Sequence, residues 1–325
     1  MTSATAIRDE TTGPDRTPRA LSVSRSSVAN ADAYESSVAG ARIHSARAGS
    51  GAGENSVLAV EGDRFISTSC QIGFPTLTRA TIPEGRLFLT LITSVGTGSR
   101  WCDVDLEPGA VLLYAPGVEH TASNKPGLGF TFVTATLDQL QATAEQLRSS
   151  IALPERGRVT PLRSATGASA VRGTFSALRA AADDGVPSEM LADEVLRAMT
   201  EAVSTETAAA PVGAAVRRQR RHAVTECISY VEAIRRVPSI AELCAVANLS
   251  ERSLRRAFQS EFDLSPSKYF RLWALGEANR RLESEEAECE TVTSVAFGLG
   301  FAHLGRFSGS YRRLFGELPS ATLRS

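Results

Sequence analysis

Hydrophobic and polar positions change rhythm twice along this chain. Between Val57 and Leu137, short apolar or β-branched runs occur at Val57–Val60, Arg64–Ser69, Leu87–Thr93, Val111–Tyr114 and Phe130–Thr136. Turn formers separate them: Pro83-Glu84-Gly85, Gly96-Thr97-Gly98, Pro108-Gly109, Pro116-Gly117 and Pro126-Gly127. Many short strands at near-regular spacing predict a small barrel or sandwich. From Leu137 to about Thr207 the period turns helical, through Leu140 and Leu147, then Val171, Phe175 and Leu178, then Met190, Leu191, Val195, Leu196 and Met199. Two or three amphipathic helices are expected. Pro211 and Gly213 mark a linker over residues 208–221, and residues 222–325 read as a helical domain. Residues 1–50, rich in Ser, Ala, Thr, Arg and Gly with little periodicity, are expected to be a disordered tail ahead of a domain at 51–207.

The last hundred residues repeat themselves. Ile240, Leu243 and Leu249 match Val292, Val295 and Phe301 at an offset of 52; Leu254, Phe258, Phe262 and Pro266 match Phe307, Tyr311, Phe315 and Pro319 at 53. In each copy a helix starts at a capping residue, Ser239 (with Glu242 three later) or Thr291, and runs about two turns. It breaks at Asn248 or at Gly298-Leu299-Gly300, residue types that tolerate left-handed backbone. A second helix follows and ends before a proline. Helix, tight turn and longer helix make a helix-turn-helix unit. The polar face of the first copy's second helix carries Glu251, Arg252, Arg255, Arg256 and Gln259, beside Ser253. Such a helix enters the DNA major groove, where Arg forks onto guanine and Gln onto adenine. A solvated cationic face would use the same residues; the duplication and the turn chemistry favour DNA.

Ser239-Ile240-Ala241-Glu242-Leu243-Cys244, Leu249 to Phe258, and Leu264-Ser265-Pro266-Ser267-Lys268-Tyr269 resemble the first motif of AraC/XylS-type transcriptional regulators. Val292 to Ala296, Gly300-Phe301, Arg306-Phe307-Ser308, Tyr311 to Gly316 and Pro319-Ser320 resemble the second. The resemblance covers roughly residues 222–325. It implies two helix-turn-helix units joined by a long helix at about Pro266 to Ser284, contacting duplex DNA through Arg252, Ser253, Arg255, Arg256 and Gln259 and through His303, Arg306, Ser308 and Arg312. Two departures stand out. Ala274 occupies a linker-helix position that is usually basic, and Gly305 and Gly309 replace longer polar side chains, a pattern that would suit close backbone approach to phosphates.

Residues 106–120 resemble a cupin strand pair, a fold common among the sensory domains of these regulators. The resemblance implies an α+β chain of two domains, a cupin-like β-barrel with amphipathic helices and an all-α DNA-binding domain, with a small-molecule effector in the barrel and helices that pair two protomers. A metal-using cupin needs a cluster of His with Glu or Asp. This region offers His120, Glu119 and distant His44, so neither metal nor cofactor is expected.

Composition narrows the alternatives. The 325 residues are 42% hydrophobic and 22% charged, ordinary globular values with ample material for two cores. The net charge of -1 hides a division: residues 217–325 hold 17 Lys and Arg against 13 Asp and Glu, or +4, leaving 18 against 23, or -5, for the rest. Five of those acids, Glu283, Glu285, Glu286, Glu288 and Glu290, lie in one stretch, so the remaining surface is more basic still. The cluster Arg217, Arg218, Arg220, Arg221 and His222 could be a phosphate-touching arm or a solvated linker start. Cys70, Cys102, Cys227, Cys244 and Cys289 are scattered and read as buried small hydrophobes. No apolar run approaches a membrane span and no secretory pattern opens the chain, so a cytoplasmic protein is expected. No nucleophile motif or paired carboxylates around a His appear, which disfavours an enzyme. A cupin-like enzyme with a DNA-binding appendage and a sequence-blind DNA organiser are the rival readings.

Overall fold

The structure, a computed structural model, describes residues 21–50, 53–102, 104, 106–151, 153, 159–184, 188–204, 214–284 and 291–323. The chain runs β1 (Ser22–Val28), α1 (Ala31–Ser37), β2 (Arg42–Arg47), β3 (Asn55–Glu61), β4 (Ile66–Gln71), β5 (Thr76–Thr81), β6 (Arg86–Ser94), β7 (Arg100–Trp101), β8 (Val111–Tyr114), β9 (Glu119–Asn124), β10 (Gly129–Thr136), α2 (Leu137–Gln146), β11 (Val159–Pro161), α3 (Ala165–Asp184) and α4 (Ser188–Ser204). The helical region follows as α5 (Ala214–Ile234), α6 (Ile240–Ala247), α7 (Glu251–Phe262), α8 (Pro266–Glu283), α9 (Val292–Gly298), α10 (Leu304–Phe315) and α11 (Pro319–Thr322).

Side chains alternate across a strand, and three central strands use both faces. Leu87 and Leu89 of β6, Val111 and Leu113 of β8, and Val133 and Ala135 of β10 face a core shared with Leu140, Phe175, Val195 and Leu196 of α2, α3 and α4. The intervening Phe88, Leu112, Tyr114, Phe130 and Phe132 face a second core with Trp101 and Ala122. The strands form a seven-stranded sheet, β1-β3-β4-β10-β6-β8-β11, and a four-stranded one, β2-β5-β9-β7. The two pack face to face around the second core, and no ladder among the described residues joins them. An open sandwich thus stands where a closed barrel was expected. The reason lies in α1, which packs against β1, β2 and β3 and sends Tyr34 into the second core where barrel closure would need strand pairing.

Residues 22–47, expected within a disordered tail, are ordered. β1 pairs with β3 from Ser22↔Glu61 to Val28↔Asn55, and β2 with β5 from Arg42↔Thr81 to Arg47↔Thr76. Main-chain hydrogen bonds hold these polar strands, which need little apolar periodicity of their own. Residues 1–20 lie outside the described residues, as do 208–213 of the expected linker; its remainder is the first turns of α5. The helices expected over 137–207 are three, and their apolar stripes are spent on the seven-stranded sheet. Met190 on α4 and Leu147 at the end of α2 are exceptions, both exposed.

The helical region has two cores, one for each copy of the repeat. Val224, Cys227, Ile228 and Val231 of α5 pack with Leu243, Leu254, Phe258 and Phe262, and Leu77 of β5 joins them from the other domain. The second core gathers Ala274, Leu275, Ala278 and Leu282 of α8 around Val295, Phe307, Tyr311 and Leu314. α8 serves both, with Pro266 at its first turn and Ser265 accepting the Lys268 N–H at 3.3 Å as its cap. The four-stranded sheet lies between the second sandwich core and this region. Ala80, His120 and Ala122 point inward to the sandwich; Leu77, Arg79 and Thr121 point outward to α5 and α7.

Phe258 is fully buried, its ring 5.4 Å from those of Tyr269 and Phe270 and 6.1 Å from that of Phe262. Phe258→Ala is expected to destabilise the first helix-turn-helix by about 3–5 kcal/mol, read as a lower midpoint in urea denaturation followed by circular dichroism.

Candidate nucleic-acid interface

Local chemistry sets the two tight turns. Ser239 caps α6, accepting the Glu242 N–H at 3.2 Å, and Glu242 in return accepts the Ser239 N–H at 2.8 Å. Arg236 donates to the same carboxylate at 2.7 Å, and these bonds hold it down to about 2. Asn248 takes φ +49° and ends α6; Ser250 then caps α7 by accepting the Ser253 N–H at 3.3 Å. In the second copy Thr291 caps α9. Gly300 alone of the expected glycine pair is left-handed, at φ +90°, while Gly298 closes the helix. A β-carbon at Gly300 would also lie 3.4 Å from the Val237 carbonyl oxygen.

On α7, Arg252, Ser253, Arg255, Arg256 and Gln259 are all exposed, opposite buried Leu254, Ala257, Phe258 and Phe262. They are not equally available. Arg255 is paired with Glu251 one turn back, Gln259 donates to Asp263 at the helix end, and the Ser253 hydroxyl bonds Ser250 at 3.0 Å. Among the described residues Arg252 and Arg256 form no ion pair. On α10, His303, Arg306 and Arg312 are exposed and Ser308 is half-buried. His303 precedes the helix without capping it. Gly305 faces open space, and a β-carbon at Gly309 would meet only the flexible end of Arg313, at 3.8 Å. Folding therefore does not require glycine at either position. Ala274 is fully buried in the second core, which explains the missing basic residue: a charged side chain there would enter apolar packing.

The basic cluster at the start of α5 divides. Arg220 lines a groove beside α7, Arg221 turns inward to donate to the Cys102 carbonyl at 3.0 Å, and His222 is exposed. The side chains of Arg217 and Arg218 lie outside the described residues. Arg221 also sits 3.7 Å from Glu261, a fully buried carboxylate on the back of α7 that accepts the Thr121 hydroxyl of β9. Arg79 of β5 donates to Glu119 on its own sheet at 3.0 Å, and to Glu232 at 3.0 Å and Ser229 at 3.1 Å on α5. These contacts seat the first helix-turn-helix on the outer face of the four-stranded sheet. A cavity of about 260 Å³ remains in the seam, lined by Glu35, His44, Arg79, Glu232, Glu277 and Arg280 among others.

Inside the sandwich, a cavity of about 60 Å³ is walled by Tyr34, Phe88, Trp101, Tyr114, Phe130 and Phe132, with His120 and Asn124 as polar points. Trp101 Nε1 donates to Asn124 at 2.7 Å, and the Asn124 amide donates to Thr76 and Thr78 at 3.0 and 3.2 Å. Burial first, and then the charge of Arg221, push His120 down to about 3, so its ring is neutral. It lies 3.3 Å from the Cys102 sulfur, whose thiol burial raises to about 11. His44, Glu119 and His120, the candidate metal ligands, are not brought together. Glu119 and His44 lie on the outer face with Arg79 and Glu35. Among the described residues no group of three metal-ligating side chains occurs. Cys70 and Cys227 are buried as expected, Cys244 is half-buried, and Cys289 lies outside the described residues. Among the described residues no helix is long and apolar enough to cross a membrane.

The helix-turn-helix domain family matches residues 243–325, from within α6 through the second repeat. Over 93 residues the chain is 39% identical to the XylDLEGF operon transcriptional activator of Pseudomonas putida, covering 29% of this chain and 29% of that protein. Through this domain the chain belongs to the AraC/XylS family. A probable thc operon regulatory protein of Rhodococcus erythropolis is 32% identical over 99 residues, 30% of either chain. A probable AraC family transcriptional regulator from Rhodopseudomonas palustris, of known structure, is 37% identical over 32% of this chain and 95% of that one, with a TM-score of 0.29. The chain thus spans under a third of the length of either of these two curated relatives. The AraC/XylS domain extends upstream of the matched segment, because α5 supplies a wall of its first core.

Two measurements follow from this geometry. Gly309→Ala is expected to raise the stability of the AraC/XylS domain by up to about 1 kcal/mol through helix propensity alone, seen as a higher thermal midpoint; if DNA backbone approaches here, affinity should fall at the same time. Glu35 is raised to about 7 by burial, against opposing pulls from the Ser45 N–H and Arg280, with Asp32 and Glu232 adding to the rise and His44 at 3.9 Å. Below that value folded Glu35 keeps its proton while the unfolded chain has already lost it, so this group lowers stability as pH rises to about 7 and no further. Calorimetry of Glu35→Gln should show a thermal midpoint advantage over the parent that grows from about pH 5 to about pH 7 and then levels off.

Proposed function

We propose that the chain is a sequence-specific transcriptional regulator that binds promoter DNA through both helix-turn-helix units and answers to a small organic effector in its N-terminal sandwich. One observation carries the DNA half of this reading: two repeated helix-turn-helix units, inside a segment that matches regulator domains, present exposed arginines opposite fully buried apolar stripes. Arg252, Arg255, Arg256 and Gln259 are assigned to base edges and Arg312 to phosphate, with Arg306, His303 and Ser308 as the sparser contacts of the second unit. Arg255 must first leave Glu251, an exposed helical pair that costs only about 0.3–0.5 kcal/mol to break.

The effector half rests on the aromatic cavity of the sandwich, apolar with a few polar points, as small-molecule sites are. At about 60 Å³ it is small, and α1, which supplies Tyr34 and Val38 to its wall, is the element placed to yield. A neutral His120 and an Asn124 already committed to Trp101 suit an uncharged or weakly polar ring better than an ion. Pairing of two protomers through the helical layer belongs to the same reading, supported by exposed Met190 on α4 and Leu147 at the end of α2. The divergent positions of His44, Glu119 and His120 favour this over a metal-using cupin enzyme.

Affinity for a bound promoter fragment should fall steeply with salt, each neutralised phosphate adding about -0.9 to the log-log slope. Arg256→Ala should cost about 1–3 kcal/mol and relax sequence preference, whereas Arg312→Ala should weaken all duplexes alike. Equal loss on every duplex for Arg256→Ala would return that residue to phosphate contact, and salt-independent binding would defeat the reading. For the N-terminal half, small aromatic metabolites should raise the thermal midpoint of the full chain, and sedimentation should find a dimer.

A further inference from the structure

The first recognition helix meets a basic surface that comes from the other domain. Arg100 of β7, Arg220 of α5, and Arg256, Gln259, Ser260 and Asp263 at the C-terminal half of α7 line an open groove of about 350 Å³. Along the same seam the other guanidinium groups are matched: Arg79 by Glu119 and Glu232, Arg280 by Asp32 and Glu277, Arg221 by Glu261. Arg100, Arg220 and Arg256 are different. Among the described residues none of the three makes an ion pair or a side-chain hydrogen bond. Asp263, the carboxylate on the groove wall, is already engaged by the Gln259 amide. Three guanidinium groups facing one groove repel one another, and the arrangement is relieved by an anion with several acceptor oxygens.

The groove is also built to stay in place. The main chain of Arg100 is paired with Ser123 of β9. Two residues on, the Cys102 N–H bonds the Thr121 carbonyl at 3.1 Å, and the Cys102 carbonyl accepts from Arg221 of α5 at 3.0 Å. Arg100 is therefore anchored to the helical domain although it belongs to the sandwich.

We propose that the Arg100 and Arg220 side of this groove holds a backbone phosphate of the duplex read by α7, next to Arg256 on the base edges, so that the N-terminal domain touches DNA directly through Arg100. The inference rests on the DNA-binding reading above. A duplex fits better than a free anion for two reasons. The groove is open rather than enclosed, and it continues the exposed face on which Arg252 and Arg256 stand. A helix in the major groove has sugar-phosphate backbone along its flanks, which is where Arg100 and Arg220 sit relative to α7. Arg100 lies far outside the segment that matches the helix-turn-helix domain family, so this contact depends on how the two domains of this chain pack.

The test uses the full chain and a promoter duplex bound by the parent protein. Arg100→Gln and Arg100→Ala should lower affinity several-fold at low salt, equally on cognate and scrambled duplexes, and make the log-log salt slope shallower by about 0.9. Arg42→Ala, exposed on β2 at the opposite edge of the four-stranded sheet from β7, removes the same charge at a distance and should leave the slope at the parent value. Unchanged slopes for both Arg100 variants, with thermal midpoints equal to the parent's, would overturn the inference while leaving the DNA reading intact. Titration with inorganic phosphate separates a small-anion site: millimolar phosphate binding that Arg100→Gln abolishes, without any change in duplex affinity, would also overturn it. If the parent chain bound no duplex in a salt-dependent way, the DNA reading itself would fall and this inference with it.

Discussion

Glu261 is the point on which the arrangement turns. A fully buried carboxylate is costly to desolvate and survives only when its partners are well placed. Here those partners come from both domains: the Thr121 hydroxyl from the four-stranded sheet and Arg221 from α5, which itself reaches back to the Cys102 carbonyl. Three elements are thereby fixed to one another through a single charge. Because Glu261 projects from the back of α7, fixing it also fixes where the front of α7 points. The orientation of the recognition face is set by the sandwich as much as by the helical domain.

The two halves of the repeat are alike in local structure and unlike in setting. The first core borrows Leu77 from the sandwich and its recognition helix lies against β7 and β9. The second core draws its buried members from residues 274–314 alone. The first unit is thus mounted on the sandwich, and the second on α8 and the Val237 segment, where the Val237 N–H bonds the Leu299 carbonyl at 3.1 Å.

How much of this was legible in the sequence depended on what each face of an element meets. β6, β8 and β10 are buried on both sides, so Leu87–Thr93, Val111–Tyr114 and Phe130–Thr136 stood out as apolar runs. β5 and β9 did not, because most of their outward positions are polar: Arg79 and Thr121 bond the helical domain and Glu119 pairs with Arg79. β1 and β2 were missed for a related reason: their stability is in main-chain pairing, which leaves no mark on side-chain periodicity. The repeat was legible down to its caps, since Ser239, Asn248 and Thr291 act on neighbours within a few residues. Arg100 carried no such signal. Its neighbours Arg220 and Arg256 are more than a hundred residues away along the chain and meet it only through the domain packing.

The shortest strand in the molecule has a consequence of its own. β7 is two residues long, and its side chains point to opposite sides. Trp101 closes the aromatic cavity, stacked edge-on against His120 and Phe130, while Arg100 stands at the groove beside α7. β9 repeats the pattern, with His120 on the cavity and Thr121 on the recognition helix. The aromatic cavity and the surface against α7 are therefore the two sides of one sheet, lined by successive residues about 3.3 Å apart along the strand. Any displacement of these strands on the cavity side is, with no relay of intervening residues, a displacement on the α7 side as well.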